Sequence, residues 1–146
     1  MTEERRQHLE FIQNAINRMN TNSFQVKGIS ITLVSALLAI YASNPNVLFI
    51  FIGIIPTFIF WFLDAYYLQQ ERKFRGVYND VIGKTANNII QDYHMPINKY
   101  RGKKYNYFNV LTSATIILLY LPIIIFLATI GKIIFSLNLN VCLQGL

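Results

Sequence analysis

Polar and apolar residues fall in long blocks along this chain. Residues 28–63 form a stretch of 36 positions without Asp, Glu, Lys or Arg, and residues 105–131 form another of 27. Crossing a hydrocarbon core of ~30 Å takes about 20 helical residues, so the first stretch suits two spans and the second suits one. Ser43-Asn44-Pro45-Asn46 divides the first, because proline cannot continue a helix and disfavours helical geometry in the residue before it. The pattern predicts an all-α, polytopic membrane protein with three transmembrane helices over 26–42, 47–63 and 110–131. It divides the chain into an amphipathic helix (1–22), a transmembrane hairpin (26–63), a helix extension with a basic loop (64–108), a third span (109–132) and a short tail (133–146).

Outside the spans the pattern becomes amphipathic. Leu9, Ile12, Ile16 and Met19 share one helical face, Thr2 can cap the helix, and Glu3 and Glu4 suit the positive end of its dipole. Asn20-Thr21-Asn22-Ser23 is expected to close this helix. Its polar face mixes acids with bases, which favours packing on a protein helix over lying on lipid. The partner is the continuation of the second span, since nothing breaks the helical pattern between Leu63 and Ile82. Phe60, Leu63, Tyr67, Gln70, Phe74, Val77 and Val81 recur at coiled-coil spacing, and Glu71 faces Arg75 as Asp80 faces Lys84. A helix over 47–82 would measure about 54 Å, with about half of it outside the bilayer. Its apolar seam then needs cover from the N-terminal helix and from sister subunits. Glu71, Arg72, Phe74, Arg75, Val77 and Val81 are therefore candidate interface residues.

Composition agrees with this division. Charged residues make up 14% of the chain against about 25% in ordinary soluble domains, and hydrophobic residues 53%. At 146 residues the chain has no room for a multidomain enzyme. Twelve of the 13 Lys and Arg residues precede the first span or lie between the second and third, and Lys132 alone follows the third. This bias predicts an N-terminus inside and a C-terminus outside, in a multi-pass protein of the bacterial inner membrane. No cleavable signal peptide is expected, since the first 20 residues hold no apolar run of the needed length.

Within the first span, Gly28, Thr32, Ser35, Ala39 and Ala42 form a stripe of small side chains, which lets helix backbones approach closely in lipid. The stripe suits packing either on the second span or on a sister chain. Trp61, Tyr66, Tyr67, Tyr100, Tyr105, Tyr107 and Phe108 supply rings for the headgroup level, and Lys99, Arg101, Lys103 and Lys104 supply cations for lipid headgroups. That position at the bilayer edge argues against nucleic acid as the partner of the basic run. Pro56 and Pro122 fall inside spans as kinks or hinges.

Catalytic chemistry finds no foothold. Gly83-Lys84-Thr85 resembles the end of a phosphate-binding loop, but Tyr78 stands where its first glycine belongs. His8 and His94 lack cysteine partners for a metal, and Cys142 is alone. No cofactor is implied. Apart from Lys27 at the entrance of the first, the spans carry no Asp, Glu, His, Lys or Arg, which disfavours a proton-coupled carrier.

Two stretches carry a family likeness. Asn20-Thr21-Asn22-Ser23-Phe24-Gln25-Val26-Lys27-Gly28 enters the first span, and Phe60-Trp61-Phe62-Leu63-Asp64-Ala65-Tyr66-Tyr67-Leu68-Gln69-Gln70-Glu71-Arg72-Lys73-Phe74-Arg75-Gly76-Val77-Tyr78 leaves the second. Together they resemble the RipA family of small bacterial inner-membrane proteins over roughly residues 18–82. The resemblance implies an octameric membrane protein without known catalytic activity, linked to envelope function and to intracellular growth of a pathogen. It matches Asp64, Glu71, Arg72 and Arg75. The expectation is a non-enzymatic homo-oligomeric scaffold that organises or regulates envelope proteins among membrane lipids. The rival is a pore-forming effector of antiphage nucleotide signalling, gated through its cytoplasmic helices.

Overall fold

The computed structural model describes residues 2–44, 46, 48–85, 90–91 and 93–144, the side chains of 135 and 137–144 excepted. Pro45 and Val47, at the expected turn, and the Cys142 side chain lie outside that description. The described residues form helices and no strand: α1 (Glu3–Ser43), α2 (Leu48–Val81), a short α3 (Tyr107–Leu111) and α4 (Ala114–Gln144). α1, α2 and the 114–134 part of α4 are each long and apolar enough to cross a membrane.

α1 corrects one expectation. The polar run Asn20-Thr21-Asn22-Ser23 does not end the first helix, and α1 continues through it for 41 residues, or about 62 Å. Asn, Thr and Ser cost only a few tenths of a kcal/mol each in a helix interior, and no Pro interrupts. The Ser23 hydrogen bond to Asp64 of the second helix and the burial of Val26 outweigh that cost. The start follows the expectation: Thr2 accepts a hydrogen bond from the Arg5 backbone N–H, and Glu3 and Glu4 occupy the first turn.

α2 lies antiparallel to α1 along its length. Val34 packs near Ile50 at the turn end, Ser23 meets Asp64 at mid-length, and Arg5 donates to the Val81 carbonyl at the far end. Gly83, with φ at +74°, adopts the left-handed region that closes a helix, and the Lys84 N–H bonds back to the Asn79 carbonyl. The Gly-Lys-Thr sequence is thus a helix terminus. α2 ends before Lys84, so the expected Asp80–Lys84 spacing does not become a helical pair. The Asp80 carboxylate instead accepts from the Thr85 and Tyr100 hydroxyls.

α4 also runs antiparallel to α2, on a face next to the one that α1 covers. Tyr120 stacks on Trp61, and Leu127 packs in the cluster with Ile50 and Val34. The helix runs past Lys132 into residues expected to form a short tail; Leu and Val continue there and no Pro or Gly intervenes before Gly145. α2 is therefore the central helix. It touches both α1 and α4, which have no close backbone approach to each other.

The described residues between α2 and α4 form a strap folded over the polar half of the hairpin. Tyr100 is buried there with Ile12, Ile16, Val77 and Val81, and Met95, Ile97 and Tyr105 pack beside them. The strap is pinned by Gln69, which donates to the Tyr105 carbonyl at 2.8 Å, and by Trp61, which donates to the Leu111 carbonyl at 3.1 Å.

Candidate functional site

The expected interface residues divide in two. Val77 and Val81 are buried within the chain, covered by α1 and the strap, so this part of the seam needs no sister subunit. Phe74 is half-buried and packs against the same cluster. Phe74→Asp therefore strikes this chain's own core before it strikes any assembly. Glu71 is buried and ion-paired to exposed Arg75 at 2.7 Å, the i,i+4 geometry its spacing implied. Arg72 reaches the Lys104 carbonyl at 3.5 Å, again within the chain.

The small-residue stripe has the opposite fate. α1 turns Ser23, Val26, Ser30 and Val34 toward α2. Gly28, Thr32, Ser35 and Ala39 lie on the far side of the helix and are all exposed. A Cβ built on Gly28 meets nothing within 4 Å. Packing of the stripe on the second span is thereby excluded.

At the waist of the hairpin lies a group that sequence reasoning did not assemble. Asp64 is fully buried, and Lys27 reaches it from α1 with Nζ 2.7 Å from both carboxylate oxygens; the Oδ1 contact has hydrogen-bond geometry. Ser23 also donates to Oδ1 and accepts from Lys27 at 2.7 Å. The Tyr120 hydroxyl is buried within electrostatic reach of Asp64, and its geometry completes no hydrogen bond. Ser23 and Lys27 come together because they stand one turn apart on α1, and Asp64 faces them by hairpin register. A buried carboxylate needs such partners, since an unpaired charge away from water is strongly disfavoured.

A cleft of about 270 Å³ opens beside this group, lined among others by Asn20, Lys27, Glu71 and Thr115. A separate apolar groove of about 520 Å³ lies between α1 and α4, lined among others by Ile31, Ser35 and Leu38 and by Leu119, Ile123 and Phe126.

The aromatic residues also sort differently from the expectation of a headgroup belt. Tyr100 is buried and donates to Asp80 at 2.7 Å, and the Trp61 N–H is spent on the strap. Tyr66 and Phe108 remain exposed, as do Lys99, Arg101, Lys103 and Lys104. Burial and the Asp80 charge push the Tyr105 phenol above its ordinary value. A phenol held protonated by the fold stabilises it below the ordinary tyrosine value of about 10, and that contribution is lost as pH rises through the raised value. Thermal unfolding of the wild type is expected to weaken more steeply between about pH 9 and 11 than that of Tyr105→Phe; equal slopes would remove Tyr105 from the linkage.

His8, set aside as a metal ligand, is fully buried beneath the Tyr93 ring, at 6.2 Å between centroids, and neither ring nitrogen has a hydrogen-bond partner. Among the described residues no three His, Cys, Asp or Glu gather as a metal site would require. No family model, curated protein or solved structure matches this chain.

Proposed function

We propose that this protein is a self-associating, non-enzymatic scaffold of the bacterial inner membrane that organises or regulates envelope components, with its N-terminus inside and its C-terminus outside. The observation that carries the reading is the outward stripe of Gly28, Thr32, Ser35 and Ala39 on a helix apolar enough to span. In lipid, apolar burial gives helices no drive to associate, so close backbone approach at small residues must supply it. A face of that kind turned away from the chain's own partner suits a sister chain. Orientation is supported by 12 of 13 cations falling on one side of the spans. The likeness of residues 18–82 to the RipA family supports an octamer as the assembly.

Gly28→Leu tests this reading cleanly, because the added side chain enters open space in the single chain and blocks only close approach from outside. Native mass spectrometry in mild detergent is expected to give a multiple of the 16.9 kDa chain for the wild type and single chains for the variant. A wild type that is monomeric, or an assembly indifferent to Gly28→Leu, would sink it. The same uncharged stripe could instead line a central axis, which supports the gated-pore alternative. That alternative requires ion flux in liposomes carrying the assembled protein.

A further inference from the structure

Beyond the spans, α1 presents a further face that its own chain leaves uncovered. From residue 27 back to residue 18 is about 14 Å along the helix, more than a headgroup layer of about 5–8 Å, so this face meets water and not lipid. Phe11, Asn14, Ala15 and Arg18 fall at i, i+3, i+4 and i+7, the spacing of one helical stripe. With Phe74 of α2 and Met95 of the strap they line a cleft of about 440 Å³. Phe11 is 53% exposed and is braced by the Tyr93 ring, 6.3 Å away between centroids. A small molecule fits poorly, because ligand sites bury about 70–90% of their occupant and here Phe11 and Arg18 are themselves exposed. A helix laid along the row covers both ends of it at once.

Charge selects the partner. Among the described residues Arg18 forms neither an ion pair nor a hydrogen bond, whereas Lys27 and Arg75 each have a carboxylate of their own. The register of the hairpin, with Ser23 on Asp64 and Arg5 on the Val81 carbonyl, sets Arg18 level with the turn of α2 that carries Arg72, whose guanidinium reaches the Lys104 carbonyl. Glu71 is the acid of that turn and is taken by Arg75. A sister chain held in the same orientation by the membrane would bring the same cations to the same height, cation against cation. The occupant must therefore carry acids of its own.

We propose that the groove along Phe11, Ala15 and Arg18 docks an amphipathic helix of a partner protein whose apolar stripe is flanked by Asp or Glu. The site does not rest on the small-residue stripe of the first span, so docking by a wild type that proves monomeric supports it while ending the self-association reading.

The probe is a fluorescent peptide of about 20 residues, long enough to hold a helix, with leucine at i, i+3, i+4 and i+7 and glutamate beside them. A twin carries lysine for each glutamate. Anisotropy is read against the full-length protein in phosphatidylcholine nanodiscs, with the signal of empty nanodiscs subtracted. The glutamate peptide is expected to bind about fivefold more tightly than its twin, the worth of one exposed charge pair. Arg18→Glu, at an exposed side chain without partners, is expected to reverse that order, and Lys84→Glu, the same change of charge just beyond the far end of α2, to leave it. Phe11→Ala is expected to weaken both peptides about tenfold through loss of the apolar anchor. Circular dichroism confirms that each variant keeps its helices. No binding beyond that of empty nanodiscs, an order unmoved by Arg18→Glu, or equal binding of a proline-interrupted glutamate peptide overturns the proposal. So does an interchain disulfide through Asn14→Cys in a Cys142→Ser background, which would seat a second copy in the groove.

Discussion

Replacing Gly76 with alanine is expected to destabilise the protein by about 1–3 kcal/mol, the usual cost of forcing extra volume into a packed site. By propensity alone the change should help, since alanine exceeds glycine in a helix interior by about 1 kcal/mol. Geometry reverses the sign. A Cβ at this position would stand 2.5 and 2.7 Å from two ring carbons of Tyr100 and 2.9 Å from the Tyr105 hydroxyl. Neither neighbour yields freely. Tyr100 is buried and its hydroxyl bonds Asp80, while the Tyr105 backbone carbonyl is held by Gln69. The strap must therefore lift from α2, uncovering Val77 and Val81. Thermal unfolding in detergent should show the loss, and limited trypsin should cut faster at exposed Arg101, Lys103 and Lys104. An unchanged melting temperature with unchanged cleavage would mean that the strap is not seated on α2 as described.

Gly76 illustrates what the chain discloses and what it withholds. The blocks of uncharged residues are a one-dimensional signal, because lipid imposes the same demand on every residue of a span, and three apolar helices follow from counting. Helix ends are harder. Asn20-Thr21-Asn22-Ser23 has the composition of a terminus, yet whether it ends a helix depends on what lies across from it, and Ser23 lies against Asp64. The destination of Val77 and Val81 likewise depended on a strap whose course no periodicity reveals. The charged pair at the waist left a trace. Lys27 and Asp64 bound the first uncharged block, and a hairpin that folds the block at its centre must bring its two ends together. Tyr120 left none: a tyrosine inside an apolar run looks alike whether it faces lipid or a carboxylate.

Removing either member of the Lys27–Asp64 pair is expected to weaken the hairpin, and the two losses should differ. Lys27→Met leaves a fully buried carboxylate with only the Ser23 hydroxyl, and breaking a buried pair in this way costs about 3–5 kcal/mol. Asp64→Asn keeps a hydrogen-bond acceptor for Ser23 and Lys27, and the ammonium, already partly exposed, can move its head toward the interface on a flexible stem. Its cost should be smaller, about 1–3 kcal/mol, that of an impaired buried hydrogen bond. Denaturant titration of detergent-solubilised variants by circular dichroism measures both, and an Asp64→Asn loss equal to or greater than that of Lys27→Met would contradict the burial asymmetry. The double variant Lys27→Met/Asp64→Leu separates stability from purpose. Apolar replacement of a whole buried pair is often neutral or stabilising, so the fold should recover to within about 1 kcal/mol of the wild type. A stable double variant that no longer assembles would then assign the charges a role in function, because stability alone would not require them.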